Sequence, residues 1–278
     1  MSETARKKGS WLTWLADRTA VHHAIRILRL QAVAQAGLSL RPIKRRLRGT
    51  GLTYRIRYLE SILLADEIFK RHIYDAAFEG IDVRTFIDIG SNVGYFPVFA
   101  AERTGRRDLV GLVVDANEDM AKESAWHVKH NDLARNVVEH GLVGYPSDQR
   151  SATFYVNASS VASSAQPVEN PNVPSKGKTR AVTVPTVDLL PRWKKIAGEA
   201  RIDLLKIDVE GFEVELLSTI GPVLALTDNI VLEWHRWVTS KEEIEAILAT
   251  HGFRFTTLIH EDIHAGVGVF RRQTRAQA

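Results

Sequence analysis

Cysteine is absent from all 278 residues, which excludes a disulfide framework, a cysteine-based zinc site and thiol catalysis. A reducing cytoplasm suits such a chain, and a cytoplasmic location is expected. No run approaches the ~20 uninterrupted apolar residues that a membrane-spanning helix needs. The opening MSETARKKGSWLTWLADR is basic and briefly apolar, but Asp17 and Arg18 interrupt it too early for a secretion signal. There is no internal repeat, and nothing in the composition suggests collagen or a coiled coil. What the chain does have is 45% hydrophobic residues, enough for a sizeable core in one main domain plus an extension.

Acidic residues are scarce in one stretch. Residues 1–48 carry 11 Lys/Arg against Glu3 and Asp17, a local balance of +9 that leaves −5 for the rest of a chain of net charge +4. A globally basic nucleic-acid-binding protein is not built this way; a mildly acidic domain behind a basic leader is. The leader is placed at 1–50, with one helix from Arg18 to about Ala36 and then the run RPIKRRLR. Peripheral contact with anionic lipid or an acidic glycan is preferred over DNA for it, beside the plainer reading of a solvated helix.

The main domain is placed at 51–272. A helical stretch runs from about Tyr58 to Phe78 and ends near Gly80. From Arg84 the pattern alternates between strands and helices. Strand-like runs fall at Thr85–Ile89, Leu109–Val114, Val137–Val143, Ile202–Asp208 and Asn229–Trp234, with helical segments such as Glu118–His130 between them. Such alternation implies an α/β fold with a mainly parallel sheet and helices on both faces. Arg254–Leu258 and Val267–Arg271, after a helix at Lys241–Thr250, are consistent with an antiparallel C-terminal edge and bring the sheet to seven strands. Residues 145–200 break the alternation with SATFYVN, a small-residue run and TRAVTVPTV, and read as an insertion near a substrate entrance. A short polar tail, 273–278, is expected to be disordered.

The segment Phe86–Phe96, FIDIGSNVGYF, reads as a strand, a Gly-rich turn and a helix start. Gly90 and Gly94 let the backbone turn tightly and approach a ligand, and Ser91, Asn92 and Tyr95 complete the turn. The dinucleotide pattern of three glycines is missing: positions 90, 92 and 95 hold Gly, Asn and Tyr. Asp88 would repel a pyrophosphate and suits the ammonium of a methionine moiety. Asp115, at the tip of the next strand in VVDAN, can accept both hydroxyls of a ribose, with Ala116 and Asn117 beside it. Together the two acids favour S-adenosylmethionine as cofactor. Leu142 is the candidate for packing on the adenine. In isolation either aspartate would equally be a helix cap.

These motifs resemble the FkbM-type S-adenosylmethionine-dependent methyltransferases, over about Thr85 to Arg271. FIDIGSNVGYF is close to the family's glycine motif. In VVDANEDM, Asp115 stands where Glu is more usual and Ala116 where Pro is. The third segment, DLLKIDVEGFEVELL at 203–217, has Lys206, Asp208, Glu210, Gly211 and Glu213 in the family's arrangement, and Asn131 and VPTVDLL at 184–190 also match. The resemblance implies a Rossmann-like class I methyltransferase fold and methyl transfer to an oxygen, on sugars, polyketides or glycolipids.

Ligands of parallel sheets bind beyond the carboxyl ends of the strands, where Asp208, Glu210 and, from the fifth strand, Glu233 and His235 fall. Asp208, then His235, then Glu210 are ranked as the catalytic candidates nearest the transferred methyl, with an alcohol acceptor's proton leaving to a base. Lys206 and Asp208 share a strand face and suggest an ion pair; Glu213 reads as a structural first-turn residue. No resident metal is expected, although Asp208, Glu210, Glu233 and His235 could together hold a divalent ion. Trp234 reads as core, and His127 and His130 as surface or helix-face residues. Two rivals remain: a nucleic-acid methyltransferase, which lacks support from any Asn/Asp-Pro-Pro-aromatic sequence, and a non-catalytic module that binds a partner.

Overall fold

A computed structural model describes residues 31–156, 165 and 180–273. Most of the leader, and the small-residue run of the insertion apart from Ala165, lie outside the described residues, as do 274–278. Of the leader's expected helix, the described part is α1, Gln31–Leu40.

Five parallel strands form the centre of the sheet: β3 (Thr85–Ile89), β4 (Val110–Asp115), β5 (Asn136–His140), β8 (Leu204–Ile207) and β9 (Asn229–His235). The order is β10-β11-β9-β8-β3-β4-β5, with β10 (Phe253–Glu261) and β11 (Ala265–Arg272) antiparallel at one edge. The fold is thus the expected Rossmann-like α/β arrangement with a seven-stranded sheet. Strands β4 and β8 are buried along their whole length, as parallel strands covered on both faces must be. β10 alternates between buried or half-buried and exposed positions over most of its length, the pattern of an antiparallel strand with one wet face.

Successive residues feed opposite cores. Phe86, Leu204 and Val231 pack with Phe96 and Phe99 of α4 (Tyr95–Thr104) on one face. Ile87, Leu205 and Leu232 pack with Trp193 of α6 (Leu189–Ala197) and Leu216 of α7 (Glu213–Thr219) on the other. Trp234 is fully buried in that second core. A Cβ on Gly266, its cross-strand partner, would come within 2.2 Å of the indole, so the tryptophan belongs to the core.

Three local expectations differ from the structure. The stretch 58–78 is two helices, α2 (Ser61–Phe69) and α3 (Asp75–Phe78), broken where His72 takes a positive φ of 53°. Strand β5 stops at His140, opposite Asp115 at the end of its partner β4, and Leu142 instead bridges to Thr186. The basic run after α1, to which the sequence assigned no element, contains strand β1 (Ile43–Arg46), antiparallel to β2 (Thr53–Ile56). This hairpin runs through position 50, where leader and domain were divided.

β2 is fastened to α5 (Glu118–His130) by polar groups. Arg55 forks onto Glu123 at 2.5 and 2.6 Å, and Asn131 exchanges hydrogen bonds with both backbone groups of Thr53. His127, fully buried rather than on the surface, donates from Nδ1 to the Val93 carbonyl and accepts the Arg55 N–H at Nε2. Burial pulls its pKa down to about 4, so the ring is neutral and both nitrogens are used.

Candidate active site

The switch in strand order lies between β3 and β8, and the cleft opens there, at the carboxyl ends of the strands. Gly90 has φ +74°, and a Cβ on it would lie 1.7 Å from the Asp208 carbonyl oxygen. Gly94, at φ +77°, would meet the Ser124 Cα at 2.5 Å. Only glycine fits either position. Asn92, between them, also takes a positive φ of 49°, which Asn tolerates better than most residues.

The cleft is a solvent-open groove, with about 670 Å³ of non-atom space counted together with the solvent at its mouth. Gly90, Asn92, Asp115, Ala116, Asn117 and Leu142 all line it, together with Met120, Phe154, Ala165, Asp208 and Glu210. Asp115 binds the turn on both oxygens, accepting the Asn92 N–H at 2.6 Å and the Asn117 N–H at 2.8 Å. Burial nevertheless pushes its carboxyl up to about 7, against those two bonds. Asn117 also caps α5 through the Asp119 N–H.

Asp88, Ser91, Gly94 and Tyr95 are not among the lining residues. Asp88 was expected to face a ligand ammonium. It is fully buried, and its register partner Lys206 supplies the countercharge at 3.2 Å. Lys206 Nζ in turn donates to the Gly90 carbonyl at 2.9 Å, so the pair acts on the cleft through the glycine turn. The expected Lys206–Asp208 pair is present but longer, 3.7 Å. Ser91 meets Ser124 at 3.1 Å, and the Tyr95 hydroxyl donates to the Arg55 carbonyl at 2.8 Å. All four support the turn from behind.

Strand β6 (Ser151–Val156) and β7 (Arg180–Pro185) form a separate antiparallel pair within the insertion. Phe154 and Val184 pack on Leu142, with Ala116 and Ala165 against them. The insertion thereby supplies an apolar wall to the part of the cleft beside Asp115.

At the other end, β8 leads into Asp208-Val209-Glu210-Gly211. Glu210 has φ +50°, a conformation rarely kept by a non-glycine side chain unless its surroundings fix it. Its carboxylate lies 3.3 Å from His235 Nε2. On the ring's other side, Nδ1 donates to Glu213 Oε1 at 2.7 Å, an oxygen that also accepts the Gly211 N–H at 2.9 Å. Burial alone would lower the imidazole's pKa, but the hydrogen bonds and charges of Glu210 and Glu213 outweigh it and hold the ring protonated. The Trp237 ring lies 4.5 Å from the imidazole. Asp208, Glu233 and His235 each bring a ligand-type atom to within 4.8 Å of the others; this is the one such grouping among the described residues.

Glu213 is fully buried on the first turn of α7, where the sequence placed it in a structural role, and there it holds His235 and the Gly211 N–H. What the sequence did not give is its partner, His235 at the end of the next strand, 22 residues away.

With the cleft's geometry fixed, a family comparison decides its kind. The Methyltransferase FkbM domain matches residues 88–255. The chain belongs to the FkbM methyltransferase family. Methyltransferase sdnD of Sordaria araneosa is 27% identical over 231 residues, covering 73% of this chain and 86% of that protein. Methyltransferase 1 of Beauveria bassiana is 23% identical over 184 residues, covering 63% and 74%. Among solved structures, a SAM-dependent methyltransferase from Aquifex aeolicus aligns at 12% identity and a TM-score of 0.41, over 74% of this chain and 91% of that one. This methyltransferase uses S-adenosylmethionine, and the cleft fits it. Asp115 is a hydroxyl acceptor at the tip of β4, Leu142, Met120 and Phe154 are apolar surfaces for a flat ring, and the carboxylates at the β8 end suit a cation. No helix among the described residues is long and apolar enough to cross a membrane.

Proposed function

We propose that the enzyme methylates a hydroxyl oxygen on a sugar, glycolipid or secondary metabolite. The observation carrying this reading is the placement of Asp208 and Glu210 on the wall of the cofactor cleft, joined to His235 and Glu233 at the end of β9. S-adenosylmethionine supplies a methyl group already activated on a sulfonium, so most of the acceleration comes from positioning. Asp115, Asn92 and Leu142 hold the nucleoside end, and Gly90 lets the backbone come close.

An alcohol must lose its proton as the new C–O bond forms, and a carboxylate within reach speeds that loss by ~100- to 10,000-fold. Asp208 is the favoured acceptor of the proton. It lines the cleft, and Lys206, held by Asp88, fixes its end of the strand. His235 is less suited to be the base than its ranking in the sequence suggested. Clamped between Glu210 and Glu213, it serves as a fixed cation that orients Glu210.

A screen with isotope-labelled S-adenosylmethionine against sugar, glycolipid and polyketide hydroxyls tests the proposal, with product read by mass spectrometry and by the methoxy signal in NMR. A methyl ether product whose rate at saturating cofactor falls about 100-fold in Asp208→Asn is expected. A product methylated on nitrogen or carbon would overturn the reading.

A further inference from the structure

Helix α1 turns its apolar stripe outward. Val33, Ala36, Gly37 and Leu40 recur at i, i+3, i+4 and i+7, the spacing of one helical face. All four are exposed, Val33 at 68% and Leu40 at 84%. The other side attaches the helix to the domain. Leu38 is buried, Gln35 Nε2 donates to the Arg57 carbonyl at 3.1 Å, and Gln35 Oε1 accepts the Leu59 N–H at 3.0 Å. A surface helix ordinarily presents such a stripe to the core; presented to solvent, it marks an interaction surface.

The chain passes directly from Leu40 into β1. There Ile43 and three cations, Lys44, Arg45 and Arg46, are all exposed. Lys44 lies 5.5 Å over the Trp126 ring, and among the described residues none of the three cations forms an ion pair.

We propose that the outward stripe of α1 and the cationic strand β1 form one docking surface for an anionic phospholipid bilayer. A bilayer can satisfy both halves at once, taking Val33 and Leu40 into the headgroup boundary while its phosphates meet Arg45, on the same face of β1 as Ile43, and the long side chains of Lys44 and Arg46 reach round from the other face. Nucleic acid offers phosphates but nothing for the apolar side chains. A second copy meeting this face symmetrically would bring like charges together. The inference is independent of which hydroxyl the enzyme methylates.

The test is co-sedimentation of the full chain with vesicles of phosphatidylcholine alone or mixed with phosphatidylserine. Folding is checked in each variant by melting temperature and S-adenosylhomocysteine binding. The wild type should sediment with the mixed vesicles only. Lys44→Gln/Arg45→Gln/Arg46→Gln should partition about 100-fold more weakly, and Val33→Ser/Leu40→Ser about 10-fold more weakly. Absence of sedimentation, or sedimentation that neither variant changes, overturns the proposal. So does an oligomer that Val33→Ser/Leu40→Ser dissociates without any vesicle binding, which would assign the stripe to a second copy. Binding to a nucleic-acid duplex with none to vesicles would overturn it as well.

Discussion

His235 and Glu213, 22 residues apart, meet at 2.7 Å between Nδ1 and Oε1, both side chains almost wholly buried. This bond fixes the imidazole so that Nε2 faces Glu210. Glu213→Gln should leave the cofactor's affinity within about 2-fold and lower kcat about 10-fold, the size of one hydrogen bond to a charged group. It should also lower the imidazole's pKa, read by NMR of the labelled ring. Unchanged kcat with a lowered pKa would show that the protonated ring is not needed.

The glycine turn makes a second prediction. At Gly90 an added methyl would overlap the Asp208 backbone at 1.7 Å, in a left-handed conformation. Gly90→Ala should therefore destabilise the protein by at least ~3 kcal/mol, as measured by urea denaturation. Gly80→Ala is the control: the same positive φ with nothing within 4 Å of the added carbon should lose only about 1 kcal/mol. Equal losses at the two positions would contradict the packing of β3 against β8.

A third prediction concerns pH. Burial lowers the His127 pKa from 6.5 to about 4. Between those values the unfolded chain binds a proton that the folded chain does not. Stability is therefore full above about 6.5 and falls as pH drops toward 4, by ~3 kcal/mol in all. His127→Gln should be less stable at neutral pH and show a shallower loss between pH 6.5 and 4. If the wild type and the variant lose stability in parallel over that window, the buried neutral imidazole is refuted.

Much of this fold was legible because its central strands are buried on both faces and so read as short apolar runs, LVGLVV at 109–114 the clearest of them. The cleft was legible where two consecutive strand ends carry it: Gly90 and Asn92, after β3, meet Asp115 at the tip of β4 as their spacing implied. What escaped the sequence depended on distant partners. His127 is bonded to residues 34 and 72 positions away, and its own neighbours give no sign of burial. Strand β1 is exposed at every position, so no alternation betrays it; it exists because β2, with Tyr54 and Ile56 buried, is fastened to α5. Asp88 was read toward the ligand because a sequence does not tell which strand lies beside β3. Pairing with β8 places Lys206 opposite it.

Asp115 carries the central claim, since its carboxylate both closes the glycine turn and lines the cleft. The most direct measurement is calorimetric titration of S-adenosylhomocysteine into the wild type and into Asp115→Asn, at pH 8 where the wild-type carboxyl is ionised. Micromolar binding, weakened at least ~10-fold in the folded variant through lost charge-assisted hydrogen bonds, is the predicted result. Equal affinity in the two proteins, or no binding to a folded wild type, would contradict the placement of the cofactor in this cleft.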